Sequence, residues 1–238
     1  MGGRWLAVML LSTAVAANGQ EASMPAATAP AKHADQSWIA RSNEYANLLV
    51  DIEKQHSPED ASGDGFSQYD ELISQPTQQD EEAEVAETEA VLAKLKVQLG
   101  IEKDKYLKQD LAIIIRSVGL ALRRQKYSED HLVSTLNASG YVFRGLRTLL
   151  DDQVVPGRRK AARGRLRKYA GLEPGFNAIT ELLKQRVQLQ MAKPNVVYPS
   201  KLSVETGLSR NSLYVKGIAS HRYSNNTGWR DGRMRTPR

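Results

Sequence analysis

Four histidines, His33, His56, His131 and His221, are the residues best suited to hold a metal or move a proton near neutral pH, and they stand singly. None falls in an HExxH pair or at any other metal-ligand spacing, so each reads as a surface or internally satisfied histidine. Carboxylates gather at Glu81, Glu82, Glu84, Glu87 and Glu89, where a carboxylate pair for hydrolysis can be imagined. They lie opposite an apolar stripe on one predicted helix, which predicts a solvated acidic face. Asp151 and Asp152 end a predicted helix beside Pro156-Gly157. Adjacent helical side chains diverge, so this pair reads as a cap or as ion-pair partners of Arg158 or Arg159.

Cations are densest at Arg158, Arg159, Lys160, Arg163, Arg165, Arg167 and Lys168. Such a run can neutralise phosphates. Stacking on bases needs interleaved aromatic rings, however, and only Tyr169 is near, so docking onto an acidic surface of the same chain is expected instead. No GxSxG elbow, Gly-rich phosphate loop or GxGxxG run is present. Cysteine is absent, which excludes disulfides, thiol catalysis, thiolate metal sites and a lipid on an N-terminal cysteine. The residues therefore nominate no catalytic, cofactor-binding or metal-binding side chain.

Charge is unevenly placed along the 238 residues. Met1 to Lys105 holds 8 Lys/Arg against 18 Asp/Glu, net −10, and Tyr106 to Arg238 holds 25 against 9, net +16. In an exported chain this split predicts complementary faces rather than a nucleic-acid partner. Export is predicted by Met1 to Ala17, with Arg4, an apolar run from Trp5 to Leu11 and small residues Ala14 to Ala17. This is the pattern of a secretory signal peptide, and the run is well short of the roughly 20 residues that span a bilayer. No other segment is apolar enough for stable membrane insertion after signal cleavage. An exported protein without disulfides fits a periplasmic or secreted location.

The elements that must position these residues are helical. Residues 18–35 form a predicted disordered leader of Ala, Pro and Ser. Trp38, Tyr45, Leu48, Leu49 and Ile52 recur at helical spacing up to His56, and Ser57-Pro58 closes that helix. Residues 59–65 read as a loop and Ser67 to Ser74 as a short helix. Thr77 caps a long helix whose stripe is Val85, Thr88, Leu92, Leu95 and Leu99, ended by Gly100. A second long helix runs from Glu102 to about Lys126 on Leu107, Leu111, Ile114, Val118 and Leu122, widened by Ile113 and Ile115 and paired antiparallel with the first. Further helices are predicted from Tyr141 to Leu150, from Arg158 to Ala170 on Ala162, Leu166 and Tyr169, from Pro174 to Met191, from Ser200 to Thr206 and from Ser209 to Ile218. The fold class is all-α, an irregular bundle of about eight helices over residues 36–219, followed by an aperiodic basic tail at 220–238.

Several blocks in fixed order carry a resemblance. They are Arg41-Ser-Asn-Glu-Tyr, His56-Ser-Pro-Glu, Glu89-Ala-Val-Leu-Ala-Lys-Leu, Asn137-Ala-Ser-Gly, Gly145-Leu-Arg-Thr-Leu-Leu-Asp-Asp-Gln, Leu166-Arg-Lys-Tyr-Ala-Gly-Leu-Glu-Pro-Gly and Tyr198-Pro-Ser-Lys. From about Gln36 to Ala219 the chain resembles the N-terminal part of the bacterial exported family called domain of unknown function 885. The resemblance implies a helical, zincin-like metallopeptidase acting on a peptide substrate, in which an HExxH helix in a C-terminal part binds zinc. No residue of this chain matches that motif, so zinc is implied for longer relatives and no cofactor for this chain.

Two expectations follow. One is a truncated, catalytically inactive N-terminal segment of such a protein, with 220–238 the product of a shifted reading frame. The alternative is a stand-alone helical binding or adaptor module of the bacterial cell envelope.

Overall fold

The computed structural model describes residues 37–151, 154–224, 229–230 and 233–234. The predicted signal peptide and leader, and most of the predicted tail, lie outside the described residues. The fold is all-α. Its helices are α1 (Ser37–His56), α2 (Pro58–Gly63), α3 (Gln78–Ile101), α4 (Lys105–His131), α5 (Ala138–Leu150), α6 (Arg159–Tyr169), α7 (Ile179–Met191) and α8 (Lys201–Ser224), with a 3-10 turn at Ser67–Tyr69. A two-residue ladder pairs Trp229–Arg230 antiparallel with Arg233–Met234.

Helices α1, α3 and α4 form one core. Leu49 and Ile52 of α1 meet Val91, Leu92 and Leu95 of α3 and Leu107, Leu111 and Val118 of α4. Ile114, Ile115 and Leu122 border this core, but Ile113 points to solvent and does not widen the buried face. Leu48 is likewise exposed, and Ala46 takes the inward position on α1. The Thr77 hydroxyl caps α3 by accepting from the Asp80 amide at 3.1 Å. Gly100 does not end the helix. The stop lies at Glu102 and Asp104, where the Asp104 carboxylate accepts from the Tyr106 and Leu107 amides at 2.8 and 3.1 Å and starts α4. Side-chain capping thus decides the break. Glu102 accepts from the Asp104 and Lys103 amides, Arg41 and Gln98, bonds that hold its carboxyl down to about 2.

Three other boundaries differ from the sequence pattern. Residues 58–63 are helical rather than a loop, because Pro58 sits at the first helical position and Glu59 and Asp60 occupy the first turn. After them only the 3-10 turn forms, where a helix to Ser74 was expected. Pro174 does not start α7. It precedes Gly175, which has φ 82°, and the Phe176 amide donates to the Glu173 carbonyl at 3.2 Å, a Pro-Gly reverse turn. Residues 201–224 form one helix instead of two, since Gly207 weakens a helix by only about 1 kcal/mol and does not break it.

The second half packs as two smaller clusters. Leu149 of α5 meets Ala161 and Ala162 of α6, and Tyr169, Ile179 and Leu183 pack with Tyr141 and Val142. On α6 the buried stripe includes Arg165, while Leu166 is half exposed. Beside these clusters the chain turns at Asn195, which has φ 58°, and Val197 bridges to the end of α4 by accepting from Val133 and donating to the His131 carbonyl. Helix α8 lies against α5 through the Ser139–Asn211 hydrogen bond and the edge-to-face rings of Phe143 and Tyr214.

Candidate functional site

The basic helix α6 is anchored to the acidic first half, as its composition implied. Arg158 grips Asp70 with two hydrogen bonds of 2.6 Å and donates to the Ser62 carbonyl at 2.7 Å. The Arg158 guanidinium holds the Asp70 carboxyl below the usual carboxylate range, and Asp70 raises Arg158 in return. Arg158 therefore spends its guanidinium on Asp70 and Ser62 rather than on Asp151. Arg159 instead reaches the Asp151 carbonyl, and Asp152 lies outside the described residues.

Arg165 is fully buried and donates to three carbonyls, Gly145 at 2.6 Å, Tyr69 at 2.9 Å and Pro58 at 3.4 Å. Burial lowers its pKa, opposed by nearby Glu59. The Tyr169 hydroxyl donates to Glu59 at 2.6 Å, and the same carboxylate oxygen accepts from the Ser74 amide and hydroxyl. Burial, then the charge of Glu59, pushes the phenol far above its ordinary value. A Cβ at Gly145 would overlap the Tyr169 hydroxyl, so only glycine lets α5 approach α6 this closely. Apart from Arg165 Nε, which is buried without a partner, these groups bond to one another or to backbone carbonyls. The centre is a structural clasp rather than a reactive site.

A second locus is open. Helices α3, α4 and α7 enclose a groove of about 640 Å³ whose apolar floor is Val85, Ala86, Leu122 and Leu189. A volume of this order is typical of ligand sites. Arg186 of α7 forms ion pairs with Glu81 of α3 and Glu129 of α4, pinning the three helices around the opening. Gln190, almost fully buried, accepts from the Ser134 amide at 2.9 Å and donates to Glu129 at 3.2 Å. Lys193 donates to the Glu129 carbonyl at 2.6 Å, and Lys126 pairs with Asp130 at 3.1 Å.

The acidic run of α3 is thus divided among several roles. Glu84 is buried, which corrects the reading of a uniformly solvated face: the helix is contacted by α1 and α4 and meets α7 across the groove, so few of its sides are free. Burial, then the charges of Asp60, Asp64 and Glu84, pushes Glu53 up to about 7. Glu82 and Glu89 remain exposed on the lip of the groove, and neither has a cationic partner among the described residues. Arg186 and the groove were missed because the meeting of α7 with α3 and α4 is tertiary. The available signal was Arg186, Leu189, Gln190 and Lys193 at helical spacing on one face of α7.

His56 is buried, with Nδ1 2.9 Å from Asp80 and Nε2 3.2 Å from Glu87. Each carboxylate meets a different ring nitrogen, so the three side chains do not converge on a point that zinc could share. Among the described residues no group of three or more His, Cys, Asp or Glu side chains is arranged to hold a metal ion. They do not fit the zinc that the family resemblance implies. His131 is exposed against the Tyr127 ring, and the side chains of His33 and His221 lie outside the described residues. No described helix is long and apolar enough to cross a membrane. Comparison with protein-family models, with curated proteins and with solved structures gives no match to this chain.

Proposed function

We propose that this chain corresponds to the non-catalytic N-terminal helical part of an exported, periplasmic or secreted zinc metallopeptidase-like protein, forming one wall of a cleft for a peptide substrate. The observation that supports this reading is the convergence of the blocks that carry the family resemblance. Pro58 and Glu59 of the second block, Gly145 of the fifth and Tyr169 of the sixth meet in one buried clasp, with Glu59 and Tyr169 110 residues apart. Blocks that a sequence keeps in order and a fold brings together behave as one structural unit. Metal and hydrolysis belong, on this reading, to polypeptide bearing the HExxH motif.

The purified chain is then expected to bind no stoichiometric zinc by elemental analysis after dialysis, and to leave a quenched peptide library uncut. Tight zinc at one per chain, or zinc-dependent cleavage, overturns the reading. The groove favours a second one, a helical binding module of the cell envelope acting through the α3–α4–α7 face. A stable monomer that retains a defined ligand, with no HExxH sequence in the underlying gene, selects the second.

A further inference from the structure

We propose that the groove between α3, α4 and α7 binds a peptide segment that sets an aliphatic side chain on Val85, Ala86, Leu122 and Leu189 and a lysine or arginine against Glu82 and Glu89. The charges of the site carry this. Glu81 and Glu129 are matched by Arg186, Glu129 also by Lys193, and Asp130 by Lys126. What remains on α3 is Glu82, bonded only to the neutral Gln78 amide at 2.7 Å, and Glu89, seven residues on and on the same side, with Arg123 the one unmatched cation of the lining among the described residues. The two glutamates flank Val85 and Ala86 at both ends, so negative charge brackets an apolar floor.

A ligand with an apolar body and cationic ends fits that pattern. A peptide is favoured over a simple polyamine by a free donor on the opposite wall. Arg123 on α4 lines the groove and has no anionic partner among the described residues. Peptide carbonyls supply acceptors for it and polyamines do not. The groove requires neither zinc nor hydrolysis, so this inference stands or falls apart from the metallopeptidase-like reading.

The test is fluorescence anisotropy with the whole chain and two labelled pentapeptides, Gly-Lys-Leu-Lys-Gly and Gly-Glu-Leu-Glu-Gly. The basic peptide is expected to bind at least about tenfold more tightly than the acidic one, and to weaken with added salt as exposed charges are screened. The double variant Glu82→Gln/Glu89→Gln, both positions exposed, should lose about tenfold, whereas Glu205→Gln on α8 should lose nothing. Leu189→Asp should abolish binding while circular dichroism shows an intact helical fold. Equal binding of the two peptides, no binding of either, or full displacement by equimolar spermidine overturns the proposal.

Discussion

At the residue scale, the buried polar groups set the limits on what can change. Glu53 shows this through pH. Its folded pKa of about 7 lies above the ordinary carboxyl value, so the folded state holds the proton more tightly than the unfolded chain. The resulting stability is fully present below about pH 4.5 and is lost as pH rises through about 7. Urea unfolding should show the protein losing about 1–3 kcal/mol between pH ~5 and ~8. Glu53→Gln should flatten that slope and be the more stable form at pH ~8; an unchanged slope would mean that neither burial nor the charges of Asp60, Asp64 and Glu84 raise this carboxyl. His56, by contrast, was legible only as a lone histidine. That it would bond Asp80 with one nitrogen and Glu87 with the other depends on α1 crossing α3 at one particular height.

At the scale of elements, most helices were legible and their ends were less so. A helix body is announced by apolar residues every three to four positions, whereas its end depends on one or two side-chain bonds. Thr77 was read as a cap; it and Asn137 both accept from an amide three residues on. Thr77→Ala and Asn137→Ala should each lower stability by about 1 kcal/mol in urea titrations with an unchanged m-value. At Gly100 and Pro174 the residue type misled. Glycine ended nothing because Glu102 and Asp104 supply a stronger stop just beyond it, and proline made a turn because the next residue is glycine with positive φ.

At the scale of the whole molecule, the apolar cluster of α1, α3 and α4 is joined to the two smaller clusters of α5, α6 and α7 by polar bonds rather than by a common hydrocarbon core. The α1–α3–α4 cluster and the α5–α6–α7 clusters meet through α2 and the segment after it, where Arg158 reaches Asp70, Arg165 reaches Pro58 and Tyr69, and Tyr169 reaches Glu59. Breaking one side of such a buried pair leaves the other charge stranded. Arg158→Met is therefore expected to destabilise the fold by about 2–4 kcal/mol, and adding Asp70→Asn should recover part of the loss. Additive losses in that double-mutant cycle would show that the two residues act separately.

By itself the sequence determined the helical class, the two long helices with their inward stripes, the cap at Thr77, and the attraction of a basic second half to an acidic first half. These are local or summed properties, fixed by spacing and composition. Tertiary structure decided which charges are spent on holding the fold and which are left over. Arg158 and Arg165 look alike in sequence to Arg163, yet the first two are locked in the clasp and Arg163 is exposed. Glu82 and Glu89 differ from Glu84 only in the direction they leave α3, and that direction acquires meaning when α1 covers one side and α7 stands across the other. Coulomb energy depends on distance and on the surrounding dielectric, and neither is set until helices far apart in the chain have packed.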